Sequence, residues 1–419
     1  MMLLNFTCSN FRSFRDEQTI TMIPGQTKNH RSHMLKNGNL DLLSVSAIFG
    51  ANASGKSNIF KAMRFSRNFI LGLKIDKQSF FRIDSDYEDK ASTFEYEFSI
   101  GNRLYRYGFQ IIISKQQVMG EWLFRISDDD TRDDELLFQR PLANTDFPLN
   151  QMKIKRRSSK FLILTLIDEL RSSKDPGLRE LLEVRDWFDN NLKIISTDDN
   201  YLHGLDYTDE ECEELGRLLR DFDIGVSTTE FKLVPDSKIT EPPIIANESV
   251  VIREHYVMKK EKTKSRKDSK DIPKKHSWVL VNNHGNNKEL FTSYDESDGT
   301  RRLMELAPII ISSESDITYV VDELDRSLHP MAVYEFVRRF ATKRAFDIPK
   351  QLIFTTHQTC LLDQDLLRRD EIWFVTKNSD GHSDLYSLDD YNERFDKNIE
   401  KMYLGGRYDG IPRINREEW

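Results

Sequence analysis

The sequence predicts an α/β protein in which a mainly parallel sheet with flanking helices is joined by an antiparallel β lobe and a helical insertion. Three observations predict it: a strand, a glycine loop and a helix in succession, a β meander at 92–126, and alternating strands and helices in the last third. We expect the 419 residues to divide into an N-terminal lobe (1–130), a mainly helical insertion (131–240) and a C-terminal lobe (241–419).

Composition and charge exclude several classes of protein. With 38% hydrophobic residues the chain is globular, and its net charge of −8 argues against a dedicated nucleic-acid coat protein. The cysteines, Cys8, Cys212 and Cys360, are too widely spaced for a zinc site or a disulfide framework. Because no apolar run is long enough to span a bilayer, we expect no membrane partner and a cytoplasmic location.

The elements follow in order along the chain. Residues 2–23 alternate as two short strands around a turn, and the meander at 92–126 has turn signals at Gly101 and Gly120. Leucines three and four apart predict a helical lobe over 158–222. The last third predicts, in order, helix, strand, helix, strand, a short helix at LLDQDLLR, and two closing strands. That order builds a parallel sheet with a ligand at the carboxyl ends of its strands.

A glycine loop follows the apolar stretch LLSVSAIFG. Residues 50–57 read GANASGKS and fit the Walker A pattern G-x-x-x-x-G-K-[ST]. Its backbone N–H groups would surround a phosphate of ATP at a helix N-terminus, with Lys56 reaching the β- and γ-phosphates and Ser57 ligating Mg²⁺. The flanking strand and helix favour this over a simple glycine turn. The predicted nucleotide-binding residues of this segment are Gly50, Asn52, Ser54, Gly55, Lys56, Ser57 and Asn58.

An acidic pair ends the next predicted strand of the sheet, in ITYVVDELDRSLHP. Asp322 is expected to hold the Mg²⁺ shell through water, and Glu323, on the other side of the strand, to polarise the attacking water. The strand QLIFTTHQ then ends in His357, which could contact the γ-phosphate and the attacking water. The alternative for His357 is a surface histidine after a strand.

A second anion site is predicted where Ser297, Asp298 and Gly299 precede a helix that begins near Thr300. One chain has a single triphosphate to hold. The second site is therefore best explained if it binds the γ-phosphate on a partner subunit, so that ATP joins the two chains of a head-to-tail homodimer.

Together these motifs resemble the ABC-type ATPase heads of the structural-maintenance-of-chromosomes, RecF and OLD group. The segment FRSF and the tail NIEKMYLGGRYDGIPRI are most similar to single-chain anti-phage and abortive-infection ATPases of the RloA type and the PARIS ATPase subunit. The resemblance implies that Ser297 is the signature serine acting in trans, Asp325 the D-loop aspartate and His357 the switch histidine. It also implies a Q-loop metal ligand, for which Gln110 is the candidate.

The resemblance implies an ATPase that serves as sensor and scaffold in anti-phage defence. It would form a homodimer or higher oligomer through ATP-bound heads and control a separately encoded effector, such as a Toprim-like nuclease, because too few residues follow His357 for such a domain. The alternatives are a RecF-type DNA-repair clamp and a nucleotide-gated structural protein with negligible turnover. The basic tract 259–275 is either a solvated hairpin tip or a DNA contact.

Overall fold

The chain divides into two compact units in the computed structural model. The structure describes residues 1–27, 29–127, 133–140, 160–196, 209–235, 244–245, 251–252, 276–285, 291–292, 295–343, 348–391 and 398–411. The first unit comprises 1–195, 314–324 and 341–419, and the second comprises 196–313 and 325–340. The predicted three-part division has other bounds and stays a prediction. The basic tract 259–275 lies outside the described residues.

Runs of consecutive strands are separated by one or two α-helices along the described residues. The strands are β1 (Leu3–Ser9), β2 (Gln18–Thr21), β3 (Met34–Asn37), β4 (Leu40–Leu43), β5 (Val45–Phe49), β6 (Ser92–Ile100), β7 (Arg103–Ile112), β8 (Gln117–Ile126), β9 (Glu135–Arg140), β10 (Leu192–Ile195), β11 (Thr228–Pro235), β12 (Ile244–Ile245), β13 (Val251–Ile252), β14 (His276–Asn283), β15 (Phe291–Thr292), β16 (Ile317–Val321), β17 (Lys350–Thr355), β18 (Ile372–Lys377) and β19 (Ser383–Ser387). The α-helices are α1 (Lys56–Ile70), α2 (Ile163–Leu166), α3 (Pro176–Asp186), α4 (Asp209–Asp221), α5 (Asp298–Ile311), α6 (Pro330–Lys343) and α7 (Ile399–Leu404).

A six-stranded sheet in the first unit has the strand order β10-β16-β17-β5-β18-β19. Its neighbours are parallel except for the antiparallel edge strand β19. Every residue of β5, β16 and β17 is buried, as expected of parallel strands covered on both faces, and β17 buries the polar residues Lys350, Gln351 and Thr355 as well. The carboxyl ends of these strands share one edge of the sheet, so the residues that follow them begin there.

The first unit also contains an antiparallel sheet with the order β2-β1-β6-β7-β8-β9. The predicted meander and the N-terminal strand pair are confirmed. The expected turn at Gly120 is wrong, because Gly120 lies inside β8 and pairs with Gln110 where the register shifts by one residue. A glycine inside a strand is typical of such a bulge. The predicted α/β class, with a mainly parallel sheet and an antiparallel β lobe, is confirmed.

Aromatic side chains fill the core of the first unit. Trp187, at the end of α3, is fully buried and stacks on Phe98 of the antiparallel sheet with ring centroids 4.2 Å apart. Phe188 packs edge-on against the same ring at 5.6 Å. The residues from α2 to β10, which fall in the predicted helical insertion, therefore contribute to the core of the first unit.

Two predicted helices differ from the observed ones. The short helix expected at LLDQDLLR is wrong: Thr359–Leu361 and Arg369–Glu371 are 3₁₀ turns, with non-helical chain between them. The helix expected near Thr300 begins two residues earlier, at Asp298, because the Ser297 hydroxyl caps it by accepting a hydrogen bond from the Thr300 amide.

The second unit combines helices α4, α5 and most of α6 with the sheet β11-β14-β15. Asn282 on β14 is buried, and its amide donates to Glu296 (2.7 Å) just before α5. Within the described ranges, neither unit has a helix that is long and apolar enough to cross a membrane.

Candidate nucleotide-binding site

The phosphate loop joins β5 to α1 and is held in a form that requires glycine. Gly55 has φ +110°, and a Cβ there would lie 2.5 Å from the Ser383 hydroxyl and 2.6 Å from the Ser13 hydroxyl. A Cβ at Gly50 would lie 2.4 Å from the Val375 carbonyl oxygen. Neither position has room for a side chain, which is the physical reason for the two glycines of the motif.

Lys56 is buried and folds back over its own loop. Its ammonium group donates to the carbonyl oxygens of Gly50 (2.7 Å) and Ala51 (3.0 Å). An ammonium held this way lies at the centre of the loop, where it can exchange these carbonyls for the oxygens of a phosphate.

The residues of the loop fit a phosphate group. The Ser54 hydroxyl is buried and has no hydrogen-bond partner within the part of the chain that the structure describes. Helix α1 begins with no side-chain cap, because Gly55 stands at the N-cap position. A helix N-terminus without a cap, next to a buried hydroxyl and an ammonium group, attracts an anion.

Two hydroxyls from distant parts of the chain brace the loop. The Asn58 amide donates to the Ser13 hydroxyl (2.6 Å), which lies 2.8 Å from the Ser383 hydroxyl, and Ser383 donates to the Ser54 carbonyl (2.5 Å). Since each hydroxyl has one proton, the chain of bonds runs from Asn58 through Ser13 and Ser383 to Ser54. The loop is thus tied to the N-terminal turn and to β19.

The acidic pair follows β16 at the same edge of the sheet. The Thr355 hydroxyl donates to the Asp322 carboxylate (2.7 Å) and accepts from the Glu323 amide (2.8 Å). Glu323 has φ +47°, a left-handed conformation that is uncommon outside glycine and is typical of functional sites. Thr355 therefore fixes both acidic residues from the neighbouring strand.

His357 lies two residues beyond β17 and its side chain is exposed. Thr356, just before it, is buried, and its amide donates to the Ile48 carbonyl of β5 (3.1 Å). The ends of three strands thus carry the phosphate loop, the acidic pair and His357. The described contacts of Gln110 are with its own sheet, where its amide donates to the Thr93 hydroxyl (3.4 Å). Its role as a metal ligand stays a prediction.

Ser297, Gly299 and Asp325 lie in the second unit. A Cβ on Gly299 would lie 2.8 Å from the Ser327 carbonyl, so the turn that follows Asp325 requires a glycine at 299. Ser297, Gly299 and Ser327 line a cavity of about 690 Å³ together with residues at the end of α4 and the start of α6. Their action on a partner's nucleotide stays a prediction.

The sequence did not predict three residues of the first unit that contact the site: Ser13, Thr355 and Ser383. Thr355 carries a partial signal, because it ends the strand QLIFTT just before His357. Ser13 and Ser383 carry no such signal, since each is an ordinary serine near a turn and meets the loop only after the chain folds.

Comparisons with known proteins identify a family, and two head domains are among the solved structures that are similar to this chain. The chain is similar to the crystal structure of the SmcHead bound to the C-winged helix domain of ScpA, with a TM-score of 0.45 and 14% identity, over 92% of this chain and 97% of that chain. It is also similar to the SMC head domain from Thermotoga maritima, with a TM-score of 0.40 and 13% identity, over 92% of this chain and 99% of that chain. No curated protein matches. Residues 45–363 match the family described as "AAA domain, putative AbiEii toxin, Type IV TA system", and the chain belongs to this family.

Proposed function

We propose that this protein binds and hydrolyses ATP with Mg²⁺ and serves as the sensor and scaffold subunit of an anti-phage defence system. The observation that carries the proposal is the edge of the parallel sheet where the phosphate loop, Asp322, Glu323 and His357 follow adjacent strands. The family description, which names a putative AbiEii toxin of a type IV TA system, supports a role in defence.

Each residue has a part in this proposal. Lys56 and the loop amides would bind the β- and γ-phosphates, and Ser57 and Asp322 would hold Mg²⁺, which would supply positive charge to neutralise the phosphates. Thr355 orients Asp322 and the backbone of Glu323. The Glu323 carboxylate accepts a proton from the attacking water.

Oligomerisation through ATP is the second part of the proposal. Ser297 and Gly299 would bind the γ-phosphate held by a second copy, with Asp325 beside them, and the ATP-bound oligomer would hold or release a separately encoded effector. A Toprim-like nuclease is the effector that we favour.

Hydrolysis is tested by measuring ATP turnover and ATP affinity for the wild type and three variants. Lys56→Ala should weaken ATP binding by about 10- to 100-fold, because a charge-assisted contact to phosphate is lost. Lys61→Ala, on the same helix, is the matched control and should bind ATP normally. Glu323→Gln should bind ATP but turn it over far more slowly. Binding without turnover in the wild type would instead favour a nucleotide-gated structural protein.

The scaffold role is tested by purifying the chain with the products of its neighbouring genes and measuring the mass of the complexes. We expect an effector to associate with the chain in a nucleotide-dependent way. Lys56→Ala, which should bind ATP weakly, and Glu323→Gln, which should keep ATP bound, should therefore differ in whether the effector co-purifies. If no effector associates and loss of the gene leaves phage plating unchanged, the defence proposal is wrong. ATP-dependent DNA binding that weakens steeply with salt would favour the repair clamp.

A further inference from the structure

Helix α7 packs against the base of the phosphate loop. The Tyr403 ring stacks on Phe374 of β18, with centroids 5.5 Å apart and planes at 18°, and meets Phe49 of β5 edge-on at 6.3 Å. Tyr403 is 7% exposed. Phe49 immediately precedes Gly50, so α7 lies beside the first residue of the loop.

The Tyr403 hydroxyl donates to the Gly410 carbonyl (2.8 Å). It also lies near enough to the Gly50 backbone for that backbone to lower the pKa of the hydroxyl. Burial raises the pKa of Tyr403 to about 12, against the opposite effect of the nearby Gly50 backbone, so the hydroxyl stays neutral and keeps the proton that it donates to Gly410. A Cβ at Gly410 would lie 2.8 Å from the ring, which shows how closely the chain approaches it.

The same helical turn contacts the chain beyond His357. Glu400, three residues before Tyr403, accepts a hydrogen bond from the Thr359 hydroxyl (2.7 Å). Residues three apart lie on one face of a helix, so Glu400 and Tyr403 face the sheet edge together. Thr359 is only two residues after His357. One turn of helix thus holds the start of the phosphate loop and the segment that follows His357.

We propose that Glu400 and Tyr403 are positioning residues of the nucleotide site: α7 keeps Gly50 and His357 in the relative placement that hydrolysis needs. The inference rests on the proposed ATPase function. Small displacements between reacting groups reduce turnover strongly, whereas binding depends on the loop amides and Lys56. Loss of the hydrogen bond from Tyr403 to Gly410, or of the one from Thr359 to Glu400, should therefore lower kcat and leave ATP affinity nearly unchanged.

The test measures kcat, KM and directly titrated ATP affinity in conservative variants. Tyr403→Phe removes only the hydroxyl and keeps the aromatic stack, and we expect kcat to fall about three- to tenfold. Glu400→Ala should have a similar effect. Glu400→Gln retains an oxygen that can accept from Thr359, so it should restore turnover to nearly the wild-type value.

Tyr386→Phe is the matched control for Tyr403→Phe. The Tyr386 hydroxyl is in the same aromatic cluster, where it donates to the Tyr408 carbonyl. If Tyr403→Phe and Tyr386→Phe have the same kcat, or if Glu400→Gln is as slow as Glu400→Ala, the inference is wrong and the ATPase proposal stands. If the wild type does not hydrolyse ATP, both the positioning inference and the ATPase proposal are wrong.

Discussion

Ser383 offers a sharp test of whether the bracing of the phosphate loop contributes to nucleotide binding. The perturbation is Ser383→Ala, which removes one buried oxygen from the chain of bonds that runs from Asn58 to Ser54. Ser46→Ala is the matched control. Ser46 lies on β5 of the same sheet, is 0% exposed like Ser383, and its hydroxyl has no hydrogen-bond partner in the described ranges.

The magnitude follows from the bonds that are lost. The Ser383 hydroxyl takes part in two short buried bonds, to Ser13 (2.8 Å) and to the Ser54 carbonyl (2.5 Å). Each is worth about 1 kcal/mol net, and buried partners left without one cost more, so we expect a loss of about 2 to 3 kcal/mol in the free energy of unfolding. Removing the Ser46 hydroxyl breaks no described bond and should change stability by less than about 1 kcal/mol.

The affinity for ATP should also fall more in Ser383→Ala than in Ser46→Ala. The Ser54 carbonyl precedes Gly55 and Lys56, so the loop can change its conformation when this carbonyl loses its hydrogen bond. Restoring the original conformation when ATP binds costs free energy, which weakens the observed affinity. We expect ATP affinity to fall about three- to tenfold in Ser383→Ala and to be unchanged in Ser46→Ala.

Urea unfolding followed by tryptophan fluorescence gives the stabilities, and calorimetric titration with ATP gives the affinities. The difference between the two alanine variants, rather than either value alone, measures the bracing. Equal stabilities and equal ATP affinities for Ser383→Ala and Ser46→Ala would refute the reasoning, because only one of them breaks a hydrogen bond to the loop.

Two further predictions concern the stability of the fold, one for each unit. Gly108→Ala should destabilise the first unit by about 1 to 3 kcal/mol, seen as a lower urea midpoint, because the new Cβ would lie 2.5 Å from the Trp122 ring; an unchanged midpoint would contradict the packing. In α6, hydrogen bonds from Arg338 and then Arg339 lower the pKa of Glu335 to about 2. A lowered pKa stabilises the fold above the unfolded value near 4.5, and this stabilisation is lost as the pH falls towards 2. Since the group is partly exposed, we expect Glu335→Gln to cost below about 1 kcal/mol at pH 6, with the difference from wild type shrinking below pH 4.5; a difference independent of pH would contradict it.

Local sequence patterns were sufficient where one segment carries the whole signal. The loop GANASGKS between a strand and a helix needs no distant residue to be recognised, and the mainly apolar run ITYVV of β16 predicts its own burial. The errors arose where local patterns are ambiguous. Gly120 is a turn residue by composition but a bulge in β8, because cross-strand pairing with Gln110 decides its conformation.

The sequence by itself determined the α/β class, the glycine loop between β5 and α1 and the acidic residues that follow β16, because these depend on residue types and spacings within one or two elements. Only the tertiary structure decided that Ser13 and Ser383 brace the loop, that Thr355 holds the acidic pair and that Tyr403 packs against Phe49 beside the loop. The physical reason is that each of these contacts joins segments far apart in the chain, and a contact between distant residues leaves no periodic signal in either segment.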